Sequence, residues 1–258
     1  MIRGLEIFNN YFKEHKDKYI LIGGAACDLW FDNAGGNFRS TKDLDIILVV
    51  ELLDKSFFSI FWEFIKKGKY SDRQMESKRR KYYRFRNPAE TDFPFQIELF
   101  SRKPESIKIP ESSHLTLIPS AEDISSLSAI IIEDEYYNFI KNNKQVLDDF
   151  SVLNIAGLIA LKIKAFFDLI NRKTDNTLDR EISKHRNDVI RLTSLLAESD
   201  KIQTPQQIKN NIEEFLINLE NISPNYKDLN KDLKSKGIET NLSTDYLKTK
   251  FRSTFGLI

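Results

Sequence analysis

The sequence predicts an α+β fold, with a mixed sheet and flanking helices in residues 1–150 and a helical part in residues 151–258. Two observations support this prediction. In the first part, short apolar runs that end at glycine or turn residues alternate with amphipathic segments. From about residue 154, apolar residues recur with helical spacing. A chain of 258 residues, 41% of them hydrophobic, is long enough for one large domain or two smaller ones.

The first part contains a definite order of predicted elements, each marked by the period of its apolar residues and by the turn residues around it. We expect the helix at 55–68 to end at Gly68, since glycine is common where helices stop. In chain order the predicted elements are a helix at 3–15, a strand and glycine turn at 19–24, a helix at 25–31, a strand at 43–50, a helix at 55–68, and strands at 81–87, 95–101 and 129–134.

Composition favours a reducing compartment. The single cysteine, Cys27, excludes an internal disulfide framework and cysteine-based zinc sites. Residues 1–19 lack the apolar core of a signal peptide, and no stretch approaches the roughly 20 apolar residues of a membrane span. The net charge of +1 by itself favours no class of partner. We therefore expect a soluble cytoplasmic protein without a membrane partner.

Two aspartates stand in a strand that is otherwise apolar. In "DLDIILVV", Asp43 and Asp45 alternate with leucine and isoleucine, so both side chains lie on one face. Charges inside a sheet are costly unless they are compensated, and carboxylate oxygens suit Mg²⁺ or Mn²⁺. With Glu98 of "FQIELF", three carboxylates on adjacent strands could hold two metal ions about 4 Å apart. In the alternative, the aspartates cap a helix or pair with Lys42 or Arg39.

A glycine pair precedes these aspartates. Gly23 and Gly24 end one apolar strand and open a helix. Backbone N–H groups at such a turn can approach a triphosphate because no Cβ intervenes. A glycine pair alone more commonly marks a tight turn, and the Walker A pattern is absent.

The order of these motifs resembles the nucleotidyltransferase fold of the DNA polymerase beta superfamily: a strand, a glycine pair, a helix, D-x-D on the next strand and one acid on a later strand. With "GGAACDLW", "RSTKDLDI", "LIALKIKAFFDLINR" and "KHRNDVIRL", the chain is similar over roughly residues 19–195 to the AbiEii-type nucleotidyltransferases, which are toxins of bacterial toxin–antitoxin pairs. Two further motifs of that family, a lysine in one helix and an aspartate in the next, match Lys162 and Asp188.

The resemblance implies an Mg²⁺- or Mn²⁺-dependent enzyme that transfers a nucleoside monophosphate from an NTP to a hydroxyl acceptor and releases pyrophosphate. It also implies tRNA or another RNA as acceptor, a cognate antitoxin protein as partner, and a catalytic domain at 1–150 followed by a helical domain at 151–258. The implied roles are metal binding by Asp43, Asp45 and Glu98, with Glu98 also as base, phosphate binding by Gly23 and Gly24, bracing of the loop by Arg39 and Thr41, and closure from the helical side by Lys162 and Asp188.

The helical periodicity distinguishes Lys162 from the other lysines of its helix, independently of the resemblance to the family. Lys162 falls in the middle of an apolar stripe, whereas Lys164 falls on the opposite side. A lysine on an apolar face needs a partner, which is either a phosphate group or water reached by the flexible stem. Asp188 follows Lys184 by four residues, so a surface pair is the alternative there. We expect His185 to face solvent.

One segment, 66–86, is rich in lysine and arginine and interleaved with tyrosines, a pattern suited to RNA phosphates and bases. Its alternative is a solvated loop and an edge strand protected by charge. Two other function classes stay open. One is a small-molecule, antibiotic-modifying nucleotidyltransferase, which would need an acidic pocket, and the other is a non-catalytic nucleotide-binding module.

Overall fold

The computed structural model describes residues 2–74, 83–103, 115–118, 127–172, 179–222 and 224–257. The chain divides into two compact units, Met1–Leu29 with Arg39–Leu153, and Trp30–Phe38 with Asn154–Ile258. The α+β prediction is confirmed, because the first unit is built on one mixed sheet with flanking helices and the C-terminal part of the chain is helical.

The elements follow the predicted order. They are α1 (Leu5–Phe12), β1 (Tyr19–Ile22), α2 (Gly23–Asn33), β2 (Asp43–Leu48), α3 (Lys55–Gly68), β3 (Tyr70–Gln74), β4 (Arg84–Pro88), β5 (Gln96–Ser101), β6 (Leu115–Ile118), β7 (Leu127–Ile131), α4 (Asp134–Asn142), β8 (Lys144–Leu147), β9 (Phe150–Leu153), α5 (Ile155–Arg172), α6 (Asp179–Thr193), α7 (Gln206–Ile222), α8 (Tyr226–Ser235) and α9 (Thr244–Phe255). Of these, β3, β6, α4, β8 and β9 were not predicted from the sequence.

The sheet combines both strand directions. Its main path runs β3-β4-β5-β2-β1-β9-β8, and β7 joins β5 and β6. The centre is formed by β2, which pairs antiparallel with β1 and parallel with β5. β4 pairs antiparallel with the other side of β5. The two strands that carry the predicted acidic residues are therefore direct neighbours.

One face of this sheet is covered by α1 and α3. The ring of Phe85, on β4, lies 5.6 Å from that of Phe61 on α3, measured between ring centroids. Phe12 of α1 lies 5.5 Å from Phe64 of α3 in the same way. Because side chains alternate along a strand, the neighbours of Phe85 in β4 point to the opposite face. The aromatic layer thus lies on one face of the sheet, and Arg84 and Arg86 of β4 project from the other.

Helix α3 confirms the predicted range and ends at Gly68, as expected. Gly68 is still helical, and Lys69 after it adopts the left-handed conformation with φ 52°. A Cβ atom on Gly68 would lie 2.6 Å from the Tyr70 ring and 2.8 Å from Phe93. Glycine is required there by close packing and not by backbone conformation.

The second unit is a packed set of helices. Phe166 of α5 and Phe215 of α7 have ring centroids 5.3 Å apart, and both side chains are fully buried. Phe251 and Phe255 of α9 are also fully buried. Within the described ranges, none of the helices combines the length and the apolar character needed to cross a membrane.

Candidate active site

The glycine pair lies directly against the D-x-D strand. β1 ends at Ile22, whose antiparallel partner on β2 is Asp45, and α2 begins at Gly23. Gly23 has φ 66°, and a Cβ atom there would lie 1.9 Å from Oδ2 of Asp45. The Asp45 carboxylate therefore occupies the space that any other side chain at position 23 would need.

The second glycine makes a similar close approach. A Cβ atom on Gly24 would lie 2.4 Å from Oγ1 of Thr41 and 2.8 Å from its Cβ atom. Thr41 stands two residues before Asp43 in the segment that leads into β2, and Arg39 is half-buried in the same segment. The structure thus brings Gly23, Gly24 and Thr41 together with the start of the D-x-D strand.

We expect Gly23→Ala to lower the free energy of unfolding more than Gly35→Ala does. Both glycines have positive φ, but a Cβ atom on Gly35 would meet nothing within 4 Å. Gly35→Ala should therefore cost only the backbone strain, about 1–2 kcal/mol. Gly23→Ala should add the cost of displacing Asp45, about 1–3 kcal/mol more. Urea unfolding measures both free energies. Equal losses in the two variants would show that Asp45 can move aside without destabilising the protein.

Polar side chains form a two-rung ladder across β2, β5 and β4, on the face opposite the aromatic layer. Residues directly opposite each other in neighbouring strands project from the same face of the sheet. Each rung joins an aspartate of β2, a polar acceptor of β5 and an arginine of β4. The rungs are Asp43–Gln96–Arg86 and Asp45–Glu98–Arg84.

The arginines of the ladder hold the β5 side chains. Arg84 Nε donates a hydrogen bond to Oε1 of Glu98 at 2.6 Å, and its guanidinium makes a second contact with the same oxygen. Arg86 Nε donates to Oε1 of Gln96 at 2.5 Å. The side chains of the ion pair are largely buried, Arg84 24% exposed and Glu98 13% exposed. Glu98 is therefore fixed in place by an arginine.

The donor set of the ladder fits a hard divalent cation at its β2 end. Asp43 and Asp45 are both half-buried and offer carboxylate oxygens on one face, the ligand type that Mg²⁺ prefers. Among the described residues, no group of three His, Cys, Asp or Glu side chains is placed to hold a metal ion. In this structure Glu98 is the ion-pair partner of Arg84, and its role as a third metal ligand stays a prediction.

The two later motif residues pair with each other in the second unit. Lys162 of α5 and Asp188 of α6 are both buried, and Nζ lies 2.9 Å from Oδ2. Lys164 forms an i,i+4 pair with Asp168 at 3.5 Å. The alternative of a surface pair between Asp188 and Lys184 is wrong, because Asp188 is fully buried and Lys184 pairs with Glu181.

His185 is half-buried, whereas the sequence predicted that it faces solvent. It lies on α6 one helical turn before the buried Asp188, and its Nδ1 atom is buried without a hydrogen bond from the described residues. Burial, assisted by the positive charge of Lys162, lowers the pKa of His185 to about 4. The native helical unit therefore favours the neutral imidazole.

The stability of the protein should fall in mild acid because of His185. Its pKa is about 4 in the native state and about 6.5 in an unfolded chain, so the unfolded state takes up the proton first. The free energy of unfolding should drop by about 2 kcal/mol between pH 7 and pH 5. His185→Gln should remove most of this drop in urea titrations, and an unchanged drop would assign it to other groups.

The basic segment 66–86 is only partly visible in the structure. Residues 75–82 lie outside the described residues, among them the lysines and arginines at 78–81. Lys66, Lys67 and Lys69 are exposed around the end of α3, while Arg84 and Arg86 belong to the ladder. Part of the predicted basic surface is thus directed at the acidic strands.

Comparison with known proteins leaves the family open. No family model matches the chain, and no curated protein matches it. Among solved structures, an antigenic nucleotidyltransferase-like protein from Paracoccidioides brasiliensis is 13% identical, with 92% of each chain covered and a TM-score of 0.44. JHP933 from Helicobacter pylori is 14% identical, with 96% of this chain and 86% of that chain covered and a TM-score of 0.39. Similarity at this level does not establish a shared family or activity.

Proposed function

We propose that the protein is a metal-dependent nucleotidyltransferase that moves a nucleoside monophosphate from an NTP to a hydroxyl acceptor. The observation that carries the proposal is the contact between Gly23 and the Asp45 carboxylate. It joins the start of a helix, where backbone N–H groups are available, to a strand with two aspartates on one face. The N–H groups suit an anionic phosphate, and the aspartates suit a cation that bridges the phosphate to the protein.

The residues of the first unit divide the chemistry between them. A divalent cation bound by Asp43 and Asp45 would neutralise charge on the triphosphate when it is present. The N–H groups at the start of α2 would donate to phosphate oxygens, which approach closely because Gly23 and Gly24 have no side chain. Glu98, on the neighbouring strand, would accept the proton of the attacking hydroxyl as its oxygen bonds to the α-phosphorus and pyrophosphate leaves. Positioning and charge neutralisation account for most of the rate in such transfers.

The roles of four further residues rest on the resemblance to the AbiEii type. Arg39 and Thr41 would brace the segment before β2, and the close packing of Thr41 on Gly24 supports the second assignment. Lys162 and Asp188 would serve the same reaction, with the lysine as a cation for phosphate. Because the two side chains form a buried ion pair, a variant of either residue changes the stability of the protein as well as the charge available to the reaction.

RNA is the acceptor class that we propose, with tRNA as the first candidate and a toxin role, opposed by a cognate antitoxin, as its biological setting. The support is the basic and aromatic composition of segment 66–86, which suits phosphates and bases. A cationic antibiotic as acceptor would instead need an acidic pocket.

The test is incubation of the protein with each labelled NTP, Mg²⁺ and total tRNA, followed by a denaturing gel. The proposal predicts a labelled RNA band with at least one NTP, and its loss in excess EDTA. The control variant is Asp92→Asn, at an exposed position of the first unit, which should label RNA as the wild-type protein does. If no RNA is labelled but an aminoglycoside is labelled in a parallel incubation that contains it in place of tRNA, the acceptor class is wrong. If nothing is labelled under any condition, the enzyme assignment is wrong.

A further inference from the structure

The third acidic residue of the ladder already has a cation. Glu98 receives two contacts from the Arg84 guanidinium, with Nε at 2.6 Å from Oε1. The pairing is built into the sheet, because Arg84 is the register partner of Glu98 across β4 and β5. The guanidinium also lies over the Tyr83 ring, 5.6 Å from its centroid. The position of Arg84 is thus fixed by the strand register and by its contact with the Tyr83 ring.

The rung Asp43–Gln96–Arg86 has a neutral side chain at the position that Glu98 occupies in its own rung. There Arg86 donates to Gln96, a neutral side chain, beside Asp43. β5 therefore presents one carboxylate to this face, at the position next to Asp45, and the arginine opposite that carboxylate pairs with it. Three carboxylates on one face could hold two divalent cations, but one of the three, Glu98, is already paired with the guanidinium of Arg84.

We infer that Arg84 takes the place of a second metal ion, so that one divalent cation is bound at Asp43 and Asp45 while Arg84 neutralises and orients Glu98. The inference rests on the metal site of the proposed function and replaces the expectation of two metal ions with one. Arg84 is a positioning residue, because it acts through Glu98. A planar guanidinium suits this role, since its donors fix the direction of a carboxylate as well as its charge.

The test counts bound Mn²⁺ by electron paramagnetic resonance, with Mn²⁺ alone and no nucleotide. Wild-type protein should bind about one Mn²⁺ per chain, and Arg84→Met should bind about two because Glu98 joins the aspartates as a ligand. Arg84→Lys, which keeps the charge, should stay at one. The double variant Arg84→Met/Glu98→Gln should return to one.

Arg86→Met is the matched control, since it removes the same side chain two residues away from beside a neutral partner. It should leave the count at one, and a second ion there would overturn the inference by showing that loss of any nearby positive charge suffices. Two ions in wild-type protein, or one in folded Arg84→Met, would also overturn it. Glu98→Gln supplies a further check if Arg84→Met does not fold, because any loss of Mn²⁺ from this variant would make Glu98 a ligand.

The gel assay separates this inference from the proposed function. Protein that transfers nucleotide but binds two Mn²⁺ ions overturns the role of Arg84 alone. Protein that shows the expected Mn²⁺ counts but labels no acceptor overturns the enzyme assignment and leaves the role of Arg84 in place. A second readout is thermal unfolding, in which Mn²⁺ should raise the melting temperature of Arg84→Met more than that of wild-type protein.

Discussion

Asp43→Asn and Asp45→Asn should each lower the rate of nucleotide transfer by at least about 100-fold, the scale of losing one preorganised charged group. Asparagine keeps the shape of aspartate, so the packing of residue 45 on Gly23 should survive in the variant. It removes the charge that a divalent cation needs. Both aspartates face the same side of β2 and would bind the same cation, so the loss of either one should impair the site.

The measurement is single-turnover transfer from a labelled NTP at saturating Mg²⁺. Urea unfolding of each variant should give a free energy equal to or above that of wild-type protein, because one like charge leaves a crowded face. Asp92→Asn, at an exposed position, should change neither quantity. Near-wild-type turnover by either variant would remove that aspartate from the site.

The polar ladder could be read from the sequence further than the acids alone suggest. "DLD" at 43–45, "RFR" at 84–86 and "QIE" at 96–98 all place an apolar residue between two polar ones, the pattern of a strand with one buried face. The acids indicate a site because isolated charges in strands are costly. The arginines give no such signal, because they belong to a longer basic segment. Only the register shows that Arg84 lies opposite Glu98.

Helix α3 was predictable from the sequence, whereas the hairpin of β8 and β9 was not. Helix α3 follows from its amphipathic pattern and begins after Asp54, whose side chain accepts a hydrogen bond from the Phe57 N–H. The hairpin of β8 and β9 turns at Asp148 and Asp149, both with positive φ. Such turns are recognised in sequences chiefly by Asn-Gly or Asp-Gly, so this one gave no signal.

Lys162→Met and Asp188→Asn should each lower the free energy of unfolding of the helical unit by about 3–5 kcal/mol, because each breaks a buried ion pair. After Lys162→Met, Asp188 keeps a longer contact to a cation, with Nη1 of Arg191 at 3.9 Å from Oδ1. Without knowledge of the ion pair, removal of a lysine from an apolar stripe would be expected to keep or raise stability. The pair at 2.9 Å, with Asp188 fully buried, reverses the sign. Lys164→Met should cost less than about 1 kcal/mol, since its pair with Asp168 is partly exposed.

The two tryptophans of the chain allow the unfolding of the helical unit to be measured separately. Trp30 belongs to the second unit and Trp62 to the first, so in a Trp62→Phe background fluorescence during urea unfolding reports the helices.

The double variant Lys162→Met/Asp188→Leu separates the pair from its surroundings. It removes both charges together, so it should recover most of the stability that either single variant loses. Transfer activity should stay low in the double variant if Lys162 contributes a cation to the reaction, because stability returns and the charge does not. Recovery of both stability and activity would make the ion pair purely structural. Equal stability of Lys162→Met and Lys164→Met would instead show that Arg191, whose Nη1 lies 3.9 Å from Oδ1 of Asp188, compensates the carboxylate when Lys162 is removed.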